Sequence, residues 1–157
     1  NVIDLGCGTG LAGKDLRSIS ANLIGVDISE NMISEAKKLD IYDTLIVGDI
    51  VEKLNASQDK FDLLVALDVL IYIGDVQSTF KAVHKSCKSD SLFVFSVEIQ
   101  DENGYSLLKS SRYAHADEYI MDQTNGLFDL VNSQNVRLRK EGENWIEGKI
   151  YVFSPIF

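Results

Sequence analysis

An α/β fold with a doubly wound, mostly parallel sheet is predicted by three features of the chain. Short apolar runs alternate with segments of helical periodicity, which is the pattern of βαβ units. The first run, Val2-Ile3-Asp4-Leu5, leads into Gly6-Cys7-Gly8-Thr9-Gly10, with glycine at every second position ahead of a helix-like segment. Such a turn lets a ligand approach the backbone N–H groups at a helix start. Finally, Phe61-Asp62-Leu63-Leu64-Val65-Ala66-Leu67-Asp68 is apolar almost throughout, as a strand must be when helices cover both faces of its sheet.

The elements follow in order. Leu11 to about Ser18 is expected to form the first helix, with Ala12, Leu16 and Ile19 on one face. Leu23-Ile24-Gly25-Val26-Asp27-Ile28 is a buried strand ending in an acid, and Ser29 caps a helix running to about Leu39. Leu45-Ile46-Val47-Gly48-Asp49-Ile50 is a third strand, also ending in an acid. After the Phe61–Asp68 strand, Asp75 caps a helix to about Lys88; Ser91 to Val97 is a fifth strand, and Ala116 to Gln123 a further helix. Asn135 to Lys140 and Trp145 to Phe153 flank Glu141-Gly142-Glu143-Asn144, a hairpin turn.

A carboxylate at Asp4, just ahead of the glycine loop, suits a ligand carrying a cation and repels a pyrophosphate. A competing pattern is present: Gly8-Thr9-Gly10-Leu11-Ala12-Gly13 fits a dinucleotide fingerprint, with Asp27 at a suitable offset, and implies an NAD-dependent oxidoreductase. Against it stand Asp4 before the additional Gly6, and Gly48-Asp49-Ile50 at the end of strand three, neither of which a nicotinamide site requires.

The run Val2–Gly10 resembles motif I of the class I S-adenosylmethionine-dependent methyltransferases, and further matches follow in that family's order. The resemblance implies a Rossmann-like, seven-stranded sheet with an antiparallel terminal hairpin at one edge, and S-adenosylmethionine as cofactor, with S-adenosylhomocysteine as product. It also implies roles for particular residues. Asp4, Gly6, Cys7, Gly8 and Gly10 would shape the loop and hold the charged amino-acid end; Asp27 would bind the ribose hydroxyls; Asp49 and the Ile50 N–H would read adenine, flanked by Ile28 and Met32. Asp68 and Tyr72 would line the methyl end. On this basis Asp27→Ala is expected to weaken cofactor binding while leaving strand and loop intact. The architectural likeness covers the whole chain, while the specific motifs lie within Val2 to Asp75.

Beyond strand four, Tyr72-Ile73-Gly74-Asp75 and Ser111-Arg112-Tyr113-Ala114-His115 are similar to segments of small-molecule-like methyltransferases often fused to tetratricopeptide repeats. Both follow carboxyl ends of strands, where open α/β sheets place ligands. Tyr72, Tyr113 and His115 are therefore the catalytic candidates on the acceptor side. For His115 two readings stand: a general base or substrate hydrogen-bonder, and a residue at a helix start in contact with water. Arg112 either holds a substrate anion or pairs with an acid, and His84 is read as structural or surface. Cys7 and Cys87 have neither metal-ligand nor disulfide spacing and are read as packing residues, Cys87 continuing a helical stripe with Val76, Phe80 and Val83. No metal site is expected.

A net charge of −9 repels phosphate backbones, so nucleic acid is a poor substrate and a small-molecule N or O acceptor is expected. The sequence agrees, since strand four lacks an Asn/Asp-Pro-Pro motif and the one proline is Pro155. No run is long enough to cross a bilayer and no signal peptide is recognisable, so a cytoplasmic protein with no membrane partner is expected. With 157 residues the chain reads as one domain, lacking the upstream helices that commonly close over such a site. A module that binds S-adenosylmethionine or S-adenosylhomocysteine without turnover would carry the same motifs.

Overall fold

The computed structural model describes residues 1–157. In chain order the elements are β1 (Val2–Leu5), α1 (Gly13–Arg17), β2 (Leu23–Asp27), α2 (Glu30–Lys37), β3 (Thr44–Val47), α3 (Ile50–Ala56) and β4 (Phe61–Ala66). After a 3₁₀ turn at Leu70–Tyr72 come α4 (Gln77–Ser86), β5 (Cys87–Ile99), β6 (Tyr105–Leu107), β7 (Tyr113–His115), α5 (Asp117–Thr124), β8 (Phe128–Glu141) and β9 (Asn144–Pro155).

All the strands belong to one sheet. β3, β2, β1, β4 and β5 are parallel neighbours in that order, and β9 joins β5 antiparallel, with β8 beyond it. That is the expected seven-stranded frame. Two short strands are additional. Val94 is paired with Val65 of β4 and with Val152 of β9, so those strands flank β5 on opposite sides. Glu98 is paired with Gly148 of β9 and with Ala114 of β7, so β7 must lie on the side of β4, beyond its end. The β6–β7 hairpin thus stands over the carboxyl end of β4.

Two-residue alternation sorts the strand side chains between the faces. Ile3 and Leu5, Leu64 and Ala66, and Phe93, Phe95 and Val97 point one way and close the main core with Leu54, Phe80, Val83 and Ile120 from α3, α4 and α5. Phe95 stacks on Tyr151 and Phe153 of β9 at 5.2 and 5.8 Å. Asp4 and Gly25 point the other way, towards Tyr42. His84 packs edge-on against Phe128 and donates Nε2–H to the Ile156 carbonyl at 2.7 Å, a structural role.

Several boundaries differ from expectation. The first helix is shorter, starting at Gly13 because the loop carries on to Ala12, and Ile19, expected on one face with Ala12 and Leu16, lies beyond its end and is exposed. α3 was not foreseen; Asp49 ends the preceding turn by accepting the Glu52 N–H at 3.0 Å and so caps that helix. Cys87 is not helical but the first residue of β5, buried all the same. The terminal hairpin turns through Gly142 and Glu143, and its strands are longer than the apolar pattern marked.

Candidate functional site

The carboxyl ends of β1 to β4 border one cleft of about 550 Å³. Sheet order dictates its layout: Asp49 after β3, Asp27 at the end of β2, the glycine loop after β1, and Asp68 after β4 follow one another across the sheet. Gly6, Gly8, Ile28, Met32, Ile50 and Tyr72 complete the wall with Ser29, Gly48, Val69 and Ile73. The lining thus includes three carboxylates and no lysine or arginine. Such a wall accepts hydroxyls and cations and opposes a pyrophosphate.

Backbone geometry builds the loop. Gly6 and Cys7 donate their N–H groups to the Val26 carbonyl at 2.8 and 3.0 Å, folding the chain back over β2. Gly6 has φ of +70°, and a Cβ there would lie 2.3 Å from Val69 Cγ2, so glycine lets the loop after β4 close against it. Asp27 accepts the Gly8 N–H on Oδ2 and the Ser29 N–H on Oδ1, both at 2.9 Å. A carboxylate oxygen has room for a second bond, so Asp27 can also take ribose hydroxyls, and Asp49, with one oxygen engaged as the α3 cap, can take an exocyclic amine. Ile28 and Met32 are exposed apolar side chains on the rim, and Tyr72 is 64% exposed at the far end.

Asp4, Cys7 and Gly10 do not line the cleft; they brace the loop from behind. Asp4 is buried and accepts the Tyr42 hydroxyl at 2.7 Å. Burial pushes its carboxyl up to about 6, the Tyr42 hydrogen bond pulls the other way, and the Asp27 charge adds to the rise. The Tyr42 ring fills the space that Cβ atoms at Gly10, Gly13 and Gly25 would occupy. Gly13, the last glycine of the dinucleotide-like pattern, is thereby accounted for as a packing position against Tyr42. Burial, followed by the Asp4 and Asp27 charges, pushes the Cys7 thiol up to about 12, in keeping with a packing role.

His115 is fully buried rather than in contact with water. Its Nε2–H is donated to the carbonyls of Ile73 and Gly74 at 2.9 and 3.0 Å, and Nδ1 has no partner. Burial lowers its pKa, outweighing those carbonyls, so the ring is neutral. It ties β7 to the segment that follows Tyr72. Tyr113 packs with Tyr105 over Gly74, where a Cβ would meet both rings. Arg112 pairs with Glu141. Sequence reasoning did not single out Tyr42, Glu98 or Arg139; Arg139 donates to Asp68 Oδ1 at 2.8 Å from β8.

A mostly parallel sheet carrying a glycine turn and a row of acids at the carboxyl ends of its strands defines a Rossmann-like α/β domain with its cleft at that edge. Known proteins make the class specific. A family model described as a methyltransferase domain matches residues 1–143. The ubiquinone biosynthesis O-methyltransferase of Bartonella quintana is 29% identical over 98 residues, covering 60% of this chain and 40% of that protein. The bovine (Bos taurus) 18S rRNA (guanine-N(7))-methyltransferase is 29% identical over 94 residues, covering 59% of this chain and 34% of that one. The chain thus spans less than half the length of these curated relatives. In fold it is similar to a crystal structure of an S-adenosylmethionine-dependent methyltransferase from Clostridium acetobutylicum, with a TM-score of 0.75, 21% identity, and coverage of 98% of this chain and 82% of that one. The chain belongs to the methyltransferase domain family, in the S-adenosylmethionine-dependent class that its motifs resemble. No helix is long and apolar enough to cross a membrane.

Proposed function

We propose that the chain binds S-adenosylmethionine in the β1–β4 cleft and transfers its methyl group to a small-molecule N or O acceptor. One observation carries the reading: three carboxylates and no basic residue line the cleft, matching a ligand with two hydroxyls, an adenine amine, a sulfonium and an ammonium. Asp27 would hold the ribose, Asp49 and Ile50 the adenine edge, Ile28 and Met32 its faces, and Asp68 the end nearest the acceptor. Gly6 and Gly8 would bring backbone to the ligand, with Asp4, Cys7 and Gly10 supporting the loop.

When bound, the cofactor supplies an activated methyl carbon on a sulfonium leaving group. The chain's own task is then positioning, which contributes roughly 7–11 kcal/mol in favourable cases. Tyr72 and Tyr113 would face the acceptor. His115, with its N–H committed to the Ile73 and Gly74 carbonyls, would act through the segment carrying Tyr72. A small acceptor is supported by the acidic surface and by the ubiquinone O-methyltransferase relatives; the rRNA methyltransferase relative makes RNA the competing acceptor. The likeness of the Tyr72 and His115 segments to the tetratricopeptide-fused subgroup favours the small molecule as well.

Calorimetry tests the cofactor half: S-adenosylhomocysteine binds and NAD does not. A radiolabelled methyl-transfer screen of phenols, amines and structured RNA tests the acceptor half. Label on RNA alone would refute the small-molecule assignment, and tight S-adenosylhomocysteine binding with no transfer to any acceptor would favour a non-catalytic binding module.

A further inference from the structure

We propose that Arg139, on the terminal hairpin behind the cleft wall, is a positioning residue that sets the Asp68 carboxylate for the ammonium of the cofactor's amino-acid end. The inference rests on the cofactor reading above and assigns a role to a residue far from every motif.

Arg139 owes its direction to a bulge. On β8, Arg137 is paired with Glu147 and Arg139 with Ile146, so Leu138 is an inserted residue. The insertion breaks the alternation that would have put both arginines on one face. Arg137 keeps an exposed pairing with Glu147, whereas the Arg139 side chain is only 15% exposed. Leu138 in turn covers Gly148, where a Cβ would lie 2.3 Å from Leu138 Cδ1 and 2.6 Å from the Val97 carbonyl oxygen.

The guanidinium then forks. Nη1 donates to Asp68 Oδ1 at 2.8 Å, and Nη2 donates to Glu98 Oε2 at 2.7 Å and to Glu141 Oε1 at 3.3 Å. Glu98 is a buried carboxylate on β5, and Glu141 is shared with Arg112. A planar fork can span two carboxylates in this way, and a lysine ammonium cannot do so with the same geometry.

Asp68 is held at both ends. Its backbone has φ of +52°, an unusual conformation for an L residue, and its N–H is donated to Ser96 Oγ at 2.8 Å. Oδ1 belongs to Arg139, while Oδ2 has no partner within the chain and the residue lines the cleft beside Val69 and Tyr72. Three carboxylates around two guanidiniums leave one net negative charge in the cluster, of which Asp68 alone lines the cleft, at the end away from Asp49. The free Oδ2 is the atom left to accept the ligand's ammonium, whose own carboxylate would point away from this acidic cluster.

The test compares S-adenosylhomocysteine with 5′-methylthioadenosine, which shares the nucleoside and the thioether but lacks the amino-acid end. Calorimetry is run on wild type, Asp68→Asn, Arg139→Gln and Arg139→Lys. Asp68→Asn leaves the Arg139–Glu98 pair intact, and Arg139→Lys keeps a charge beside Glu98, so these variants serve if Arg139→Gln does not fold. The expected result is a loss of tenfold or more in S-adenosylhomocysteine affinity in each variant, with methylthioadenosine held within twofold. Wild-type affinity for S-adenosylhomocysteine in Arg139→Lys, or an equal loss of both ligands, would overturn the proposal and leave the cofactor reading standing. A wild-type protein that binds neither ligand would overturn both.

Discussion

Gly8 donates its backbone N–H to Asp27 Oδ2, and the same carboxylate takes the Ser29 N–H on Oδ1, so one side chain ties the glycine loop to the turn that opens α2. A residue expected to serve the ligand is also a structural tie. Asp27→Ala is therefore expected to weaken S-adenosylhomocysteine binding by about 2–4 kcal/mol and also to destabilise the free protein by about 1–2 kcal/mol. The second effect corrects the expectation that strand and loop would be left intact. Calorimetry and thermal melting measure the two effects, and affinity within a factor of two of wild type would remove Asp27 from the ligand site.

The Asp4–Tyr42 pair gives a pH-dependent outcome. With the folded pKa raised to about 6 against about 3.9 unfolded, the folded state holds more protons between those values, so stability falls as pH rises through that window. Asp4→Asn keeps an acceptor for the Tyr42 hydroxyl and carries no charge. Relative to wild type it should be more stable by about 2–3 kcal/mol above pH 6, with the difference shrinking towards pH 4. Denaturant melts across that range check this. A constant offset would mean that Asp4 does not titrate abnormally.

Strands β1 to β4 were legible because buried parallel strands are continuous apolar runs, and the acids that follow them stand out against that background. α3 escaped because Gly48-Asp49-Ile50 drew attention as the end of a strand, although Asp49 and Glu52 have the spacing of a capping box. β8 was under-read at its start because Asp129, Asn132, Ser133 and Gln134 give an outermost strand no clear alternation. The three-residue strands β6 and β7 are too short to show a pattern of their own; β7 pairs with β5, and β6 pairs with β7. Asp68, Glu98 and Arg139 are separated by dozens of positions, and no local pattern announces that a bulge will turn one arginine between two acids.

His115 yields a second pH test, of opposite sign. Its folded pKa is depressed from 6.5, so its contribution to stability is present above 6.5 and is lost as pH falls from there towards the folded value. His115→Phe removes the N–H that serves the Ile73 and Gly74 carbonyls and should cost about 1–3 kcal/mol at pH 7.5, with the deficit narrowing on acidification. Melts at pH 5.5 and 7.5 decide the matter. Abolished turnover with unchanged stability at both pH values would instead make His115 a base acting on the acceptor.

Gly6 and Gly8 both have positive φ, yet their surroundings separate what alanine would do at each. At Gly6 the new methyl would lie 2.3 Å from Val69 Cγ2 and 2.6 Å from Val69 Cβ, so the loop after β4 must shift in addition to the backbone strain. Overpacking of that kind costs about 1–3 kcal/mol, on top of about 1 kcal/mol for the left-handed backbone. At Gly8 no atom lies within 4 Å of the added carbon, which leaves the backbone term alone. Gly8 lines the cleft, however, so its methyl would take up space there. Gly6→Ala should thus lower the melting temperature well below that of Gly8→Ala, while Gly8→Ala should lose S-adenosylhomocysteine affinity with its fold nearly intact. Melting curves and calorimetry on both variants measure the contrast, and a Gly8→Ala protein that binds the ligand as wild type does would show that the nucleoside does not approach the glycine loop.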